Sequence, residues 1–443
     1  MGQLRHKYLL QNGLHAIIFY NMSKRFYRLH IIAILLICFL IAGVVVFIEE
    51  RQPKNPIYEE YGDVKPTEIW LVTDTHYIAP ELTDGGAYFR KMVDSGDGKY
   101  MYASQEITDG FVQKVIEAHP AALILSGDLT FNGARLSHVE FAKKLAPIKE
   151  AGIKVIALPG NHDLTINRAA KFKGSEYELV DSIDANEFFE IYQDYGFSDC
   201  LARDDTSLSY ITEVAPNVRV LVVDVNTVAG MSGILTNGTL DFVEKQLKQA
   251  KEDKAYVIGV THQTLLTHSE LTSQGMIFIN NDKLLELYEK YDVLINLSGH
   301  MHIQHINESE NGFPEIATGS LMTSPNYHGE IHIGKRQFEY KAVPTFDEED
   351  SLYIEARQFL TKNAFRQGAE ALGEKNYDEE LANYFASFNV NYIAGRSDLI
   401  PWDDQLTAKW GETDTFVPVY FDVVKREMEE TGRDNFTEYK LNW

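Results

Sequence analysis

Hydrophobic positions fall into two rhythms along this chain. Short runs rich in β-branched residues, at 69–73, 122–126, 154–158, 218–223, 256–261 and 293–298, are apolar at nearly every position. Strands buried on both faces read this way. Between them, segments 104–118, 138–151, 239–252 and 282–290 repeat apolar residues at three- and four-residue spacing, the period of an amphipathic helix. Strands alternating with helices predict an α/β core around a largely buried sheet. Two further strands are expected near 330–333 and 338–343. From about 345 the pattern turns helical, over 349–368, 378–386 and 417–430, so residues 345–443 are expected to form a helical C-terminal domain beside a catalytic domain at 67–344. That tail holds 21 acidic and 10 basic residues, which reads as a solvated face. Its aromatics Tyr384, Phe385, Trp402 and Trp410 are expected to make a small core of its own.

One segment fits neither rhythm. Residues 31–48 are eighteen consecutive positions without a charge, and as a helix they would span ~27 Å, enough for a bilayer core. The preceding residues 1–30 hold Arg5, Lys7, Lys24, Arg25 and Arg28 and no acid. The expectation is a cytoplasmic basic stub, a transmembrane anchor at 31–48 and a catalytic part outside the cell. A cleaved signal peptide with secretion is the alternative, although the run exceeds the usual apolar length and no small-residue cleavage site follows it. Residues 49–66, with Pro53, Pro56 and Pro66, read as a linker.

Charge and cysteine narrow the function. The chain has 65 acidic and 41 basic residues, a formal charge of −24. Such a surface repels duplex nucleic acid and anionic lipid. Cys38 lies in the apolar run and Cys200 is alone in the rest, so a disulfide-built module is excluded.

The chemistry sits where the strands end. After 70–73 comes Asp74-Thr75-His76; after 122–126, Gly127-Asp128; after 156–159, Gly160-Asn161-His162-Asp163; after 258–261, His262; after 295–298, Gly299-His300-Met301-His302. Sites in α/β proteins gather outside the carboxyl ends of strands, so the five clusters can converge. Asp74, His76, Asp128, Asn161, His262, His300 and His302 make seven nitrogen and oxygen donors. If Asp128 bridges, they give two metals four ligand positions each. Without thiolates, the set suits Mn, Fe or Zn at a reactive centre over a structural zinc site. Two such ions can hold a bridging hydroxide for attack on phosphorus.

These motifs resemble the signature of the calcineurin-like metallophosphoesterases over residues 67–343, and the Gly-Asn-His-Asp form is similar to the class III cyclic nucleotide phosphodiesterase branch. The resemblance implies a four-layer αββα sandwich with a dinuclear centre between its sheets. It places Asp74, His76, Asp128 and His302 on one metal and Asp128, Asn161, His262 and His300 on the other. His162 would then approach the leaving-group or a phosphoryl oxygen, with Asn161 also facing substrate. The sequence departs from the pattern at Phe131, where many members carry an aspartate that partners this histidine; Asp163 is expected to orient His162 instead. Residues 78–103, rich in Gly, Asp and Tyr, are expected to form a loop over the site. The implied activity is hydrolysis of a small phosphodiester, such as a cyclic nucleotide. Open alternatives are a phosphomonoesterase, a lipid or cell-wall phosphoester hydrolase, and a surface protein that has lost catalysis.

Overall fold

Two mixed sheets carry the chain. The computed structural model describes residue 61 and residues 64–164, 167–334 and 336–443. The basic stub, the anchor expected at 31–48 and residues 49–60 of the linker lie outside these. No helix among the described residues is long and apolar enough to cross a membrane.

The first sheet has six strands in the order Glu438–Asn442, Gln337–Pro344, Tyr327–Gly334, Thr67–Val72, Ala122–Ser126 and Lys154–Leu158. The last three are mutually parallel and the others pair antiparallel. The second has seven, ordered His305–Glu308, Pro314–Ala317, Ile295–Ser298, Tyr256–Val260, Val218–Val222, Tyr210–Ala215 and Ala202–Arg203. Its parallel block runs from Pro314–Ala317 to Val218–Val222.

Period-two alternation explains how the layers stack. Val218, Val220 and Val222 join the core shared with the first sheet, whereas Leu221 and Val223 join a second core with Val243, Leu247, Leu284 and Tyr288. Those last four residues belong to the helices Asn237–Glu252 and Asn281–Lys290. Helices Ser104–Ala118 and Arg135–Glu150 pack with the first sheet through Phe111, Val115, Phe141 and Leu145. The strands and helices read between 67 and 344 recur within about three residues of their expected ends, whereas the tail helices expected at 349–368 and 378–386 run on to Asn376 and Ile393.

Two expectations need correction. Residues 78–103 are not a plain loop: they contain the helix Ala87–Asp94, which buries Phe89 and Val93 one turn apart. Flanking glycines masked so short a helix. The tail is also not wholly helical. Its helices do enclose their own core of Tyr384, Phe385, Phe388, Trp410 and Phe421. After them, however, the chain returns as Glu438–Asn442 and pairs antiparallel with Gln337–Pro344 at the edge of the first sheet. Five residues with alternate charges gave too short a pattern to read as a strand.

Phe436 locks this return in place. It is buried, its ring stacks on His305 at a centroid distance of 4.1 Å, and its carbonyl accepts from Gln304 Nε2 at 2.8 Å. Phe436→Ala should lower the unfolding free energy by about 3–5 kcal/mol, read from urea melting of residues 64–443 as a single transition. A biphasic wild-type melt would instead show a tail that folds independently.

Candidate metal centre

Strand ends from both sheets meet at one point, and the turns there are unusual. Asp74, His76, Asp128, His300 and His302 all have positive φ, between 39° and 67°. Non-glycine residues avoid this region, at a cost of about 1–3 kcal/mol each, and sites that hold them are over-determined by their surroundings. Here backbone hydrogen bonds do the holding. Asp74 N–H donates to Gly127 O, His76 N–H to Asp128 O and Gly299 N–H to His262 O, at 2.9–3.1 Å. Glycine permits the close approach: a Cβ on Gly160 would overlap the Asp128 backbone nitrogen and crowd His262 Nε2.

The two carboxylates are fully buried, and each is pinned through one oxygen. Asp74 Oδ2 accepts from Thr73 Oγ1 at 2.6 Å and from His300 N–H at 2.9 Å. Asp74 Oδ1 is left 3.1 Å from His302 Nε2 and 3.8 Å from His76 Nε2. Asp128 Oδ1 accepts from His162 N–H at 2.7 Å and lies 3.3 Å from His262 Nε2. Asp128 Oδ2 lies 3.9 Å from His76 Nε2 on the opposite side. One Asp128 oxygen thus faces each group of ligands.

Hydrogen-bond partners set the histidine tautomers, because a carbonyl or carboxylate can only accept. His262 Nδ1–H donates to Ser126 O at 2.9 Å, leaving Nε2 toward Asp128 and 2.9 Å from Asn161 Oδ1. His300 Nε2–H donates to Gly275 O at 3.1 Å, which frees Nδ1. His302 Nδ1–H donates to Asp97 Oδ2 at 2.8 Å, which frees Nε2. Carboxylate and carbonyl partners of this kind fix ring orientation and raise ligand basicity at metal sites.

The arrangement needs cations. Asp74, His76, Asp128 and His302 bring one donor atom each within 4.8 Å of one another, and so do Asp128, His262 and His300. His76 Nε2 and His302 Nε2 face each other at 3.0 Å, an approach that opposed lone pairs would resist without a proton or metal ion between them. Charges respond accordingly. Burial lowers His262, but Asp128 outweighs it and raises the group to about 9. Burial and Lys99 lower His302, yet Asp74 and Asp97 raise it to about 9. Burial holds His76 well below its usual value, and burial with His262 brings His300 down to about 4. Protons on His262 and His302 then balance the two carboxylates, and these are the protons that divalent ions would displace. The donor set fits a pair of metal ions.

With this geometry in view, the comparisons decide the family. The family model described as calcineurin-like phosphoesterase matches residues 67–304, more than half of the chain. The chain belongs to the calcineurin-like phosphoesterase family. It is a phosphoester hydrolase with a candidate metal-binding cluster of Asp and His residues. No curated protein sequence matches it. Among solved structures, it is similar to a dimetal phosphatase from Danio rerio, at 14% identity and TM-score 0.47, covering 65% of this chain and 98% of that one. It is also similar to a purple acid phosphatase from yellow lupin seeds, at 15% identity and TM-score 0.44, covering 64% of this chain and 52% of that one. The assignment rests on the family match.

The structure of this phosphoesterase changes two expectations around His162. Its Nδ1–H donates to the backbone carbonyl of Phe131 at 2.9 Å, so the main chain does what the missing aspartate would do. Asp163 does not touch the His162 ring. Its carboxylate turns away, accepting from the backbone N–H groups of Leu129, Thr130 and Gly160 and from Thr130 Oγ1, all at 2.9 Å. It ties two site loops together and is a positioning residue. Burial and the nearby Asp128 charge raise it to about 7, against the pull of those N–H groups.

Asp97 was missed by sequence reading. It lies in Gly96-Asp97-Gly98 beyond any strand end, so only the flagged loop hinted at it; Lys99 Nζ holds the same oxygen at 2.9 Å. Asp97→Ala should weaken metal binding at the His76/His302 side by about 10–100-fold, measured by chelator competition. Asp97→Asn, which can still accept from His302, should recover most of it. Equal affinity in Asp97→Ala and wild type would remove Asp97 from the centre.

Proposed function

We propose that this phosphoesterase is a dinuclear metal-dependent phosphodiesterase acting on small phosphodiesters, nucleotides and cyclic nucleotides among them. The observation that carries the reading is a single convergence: six donors surround Asp128, the seven coming from five strand ends, and one further imidazole, His162, stands at their rim with its Nε2 uncommitted. Asp74, His76, Asp128 and His302 would hold one ion, and Asp128, Asn161, His262 and His300 the other, with Mn, Fe or Zn compatible with these donors. Bound there, the ions supply a water activated near neutral pH and neutralise charge on the phosphoryl oxygens.

The chain's own residues do the rest. His162 is about one-third exposed, its Nε2 lies 4.0 Å from Asp128 Oδ2, and its Nδ1–H is committed to Phe131. That leaves Nε2 to carry a proton to the oxygen that departs from phosphorus. An alkoxide is a poor leaving group, so an acid at this position accelerates alkyl esters most. Asn161, whose Oδ1 is turned to His262, would also face the substrate beside His162. The overall acidity of the surface does not oppose this reading, because two divalent ions dominate the local field.

The basic residues 1–30 and the apolar run 31–48 support a single-pass membrane protein with this catalytic part outside the cell. A phosphomonoesterase or a lipid or cell-wall phosphoester hydrolase is the second reading, favoured by a position beside such substrates.

A panel of cyclic nucleotides, aryl diesters and aryl monoesters with added Mn²⁺ tests the proposal. Diesters should be turned over at least about tenfold faster than monoesters, and the reverse order would select the second reading. His162→Ala should keep its metal content and lose about 10²–10⁴-fold in turnover of alkyl diesters, with a far smaller loss on activated aryl esters. Equal losses on both would remove the acid role.

A further inference from the structure

A cleft of about 840 Å³ opens beside His162, between the segment around the helix Ala87–Asp94 and the hairpin of Ala170–Lys173 and Glu176–Leu179. Its lining is divided by polarity. The charged side chains gather at the metal end. Asp97 accepts from His302 and from Lys99, and Arg168 Nη1 lies 3.7 Å from Met231 Sδ, the sulfur that the Asn161 amide also meets, at 3.4 Å. His162 stands at the same end, its ring held by the carbonyl of Phe131. From Phe131 a row of rings leads outward: Phe131 to Phe172 at 6.3 Å, Phe172 to Tyr88 at 6.1 Å and Tyr88 to Tyr177 at 5.0 Å, by ring centroids.

The outer end of this wall is open apolar surface. Glu176, Tyr177, Glu178 and Leu179 alternate polar and apolar, so Tyr177 and Leu179 share one face of their strand. Alternation of this kind belongs to a strand that buries its apolar face. Here Tyr177 is 52% and Leu179 60% exposed, and both line the cleft. Large apolar side chains left open in a concave site mark a place where a ligand takes them out of water. The cleft therefore runs from a charged end at the metal ligands to an apolar end at the hairpin, the polarity of a phosphate joined to an apolar group.

We infer that the substrate is the phosphoester of an apolar alcohol, and that Tyr177 and Leu179 receive this alcohol, an assignment that rests on His162 being the acid for the departing oxygen. The phosphoryl group lies where the metal ligands converge, and the ester oxygen meets His162 Nε2. The carbon chain or ring beyond that oxygen follows the row of rings to the hairpin. When the P–O bond breaks, its electron pair stays on the alcohol oxygen and the His162 proton joins it, so the alcohol departs neutral along an apolar wall. A polar alcohol of similar length, such as glycerol, gains nothing from burying Tyr177 and Leu179.

The test uses glycerol 3-phosphate, butyl phosphate, hexyl phosphate and 2-phenylethyl phosphate as competitors of bis(p-nitrophenyl) phosphate hydrolysis by the Mn²⁺-loaded full chain. All four carry the same head group. Each methylene taken out of water is worth about fourfold, so hexyl phosphate should inhibit at least about tenfold more tightly than butyl phosphate. Glycerol 3-phosphate should bind no better than butyl phosphate. Tighter inhibition by phenylethyl than by hexyl phosphate identifies the alcohol as aromatic, and the reverse order as aliphatic. Tyr177→Ala combined with Leu179→Ala, both at exposed positions, should bring the butyl-to-hexyl ratio below about threefold. Glu178→Ala, on the opposite face of the strand, should leave that ratio intact. A flat series in the wild type, or a steep one that the double variant preserves, would overturn the cleft assignment, while continued hydrolysis of the aryl diester leaves the phosphodiesterase reading standing. Hydrolysis of p-nitrophenyl phosphate alone would overturn the phosphodiesterase reading, and the same series against that monoester would then decide the cleft. Absence of both activities would overturn the two together.

Discussion

Two carboxylates, Asp74 and Asp128, are buried between the sheets of this protein, and the rest of the structure is arranged around compensating them. Burying an unpaired carboxylate costs several kcal/mol even after relaxation. Thr73, the His300 amide and the His162 amide each satisfy one lone pair. The oxygens left over point at imidazole nitrogens, which can compensate them only as imidazolium or through a shared cation. The positive-φ turns, the glycines beside Asp128 and the backbone bonds between loops follow from that demand. Each brings a donor closer than a regular strand end would allow. A phosphoester, itself an anion, is drawn to the same place by the same excess of positive charge once metal ions are held.

Much of this was legible in the sequence because polar residues after a buried apolar strand are exceptions with few uses. Gly127-Asp128, Gly160-Asn161 and Gly299-His300 stand out against the runs before them, and the structure brings all five clusters together. The residues that support them were harder to read. Asp97 is an aspartate between two glycines, indistinguishable in sequence from a turn. Ser126 and Phe131 act through backbone carbonyls, which no residue type advertises. Asp163 was misread because adjacency to His162 suggested contact, whereas successive residues at a tight turn point to different sides. The return strand Glu438–Asn442 was hidden for a related reason: its pairing is with a partner about a hundred residues away, and five residues carry little periodicity.

Parts that motifs do not mark also stand beside the site. The helix Ala87–Asp94 and the hairpin Ala170–Leu179 belong to neither sheet, yet they shape the cleft beside His162. The segment that lines this cleft also carries Asp97, which orients His302. The cleft lining and the metal geometry therefore share one stretch of chain.

Asp128 serves both groups of ligands through its two oxygens. Metal analysis of the purified chain beside its Asp128→Ala variant tests this most directly, with circular dichroism to confirm that both are folded. Two ions per wild-type chain and loss of both in the variant is the result predicted. A variant that keeps an intact pair, or a wild-type chain that binds a single ion at saturation, would contradict it.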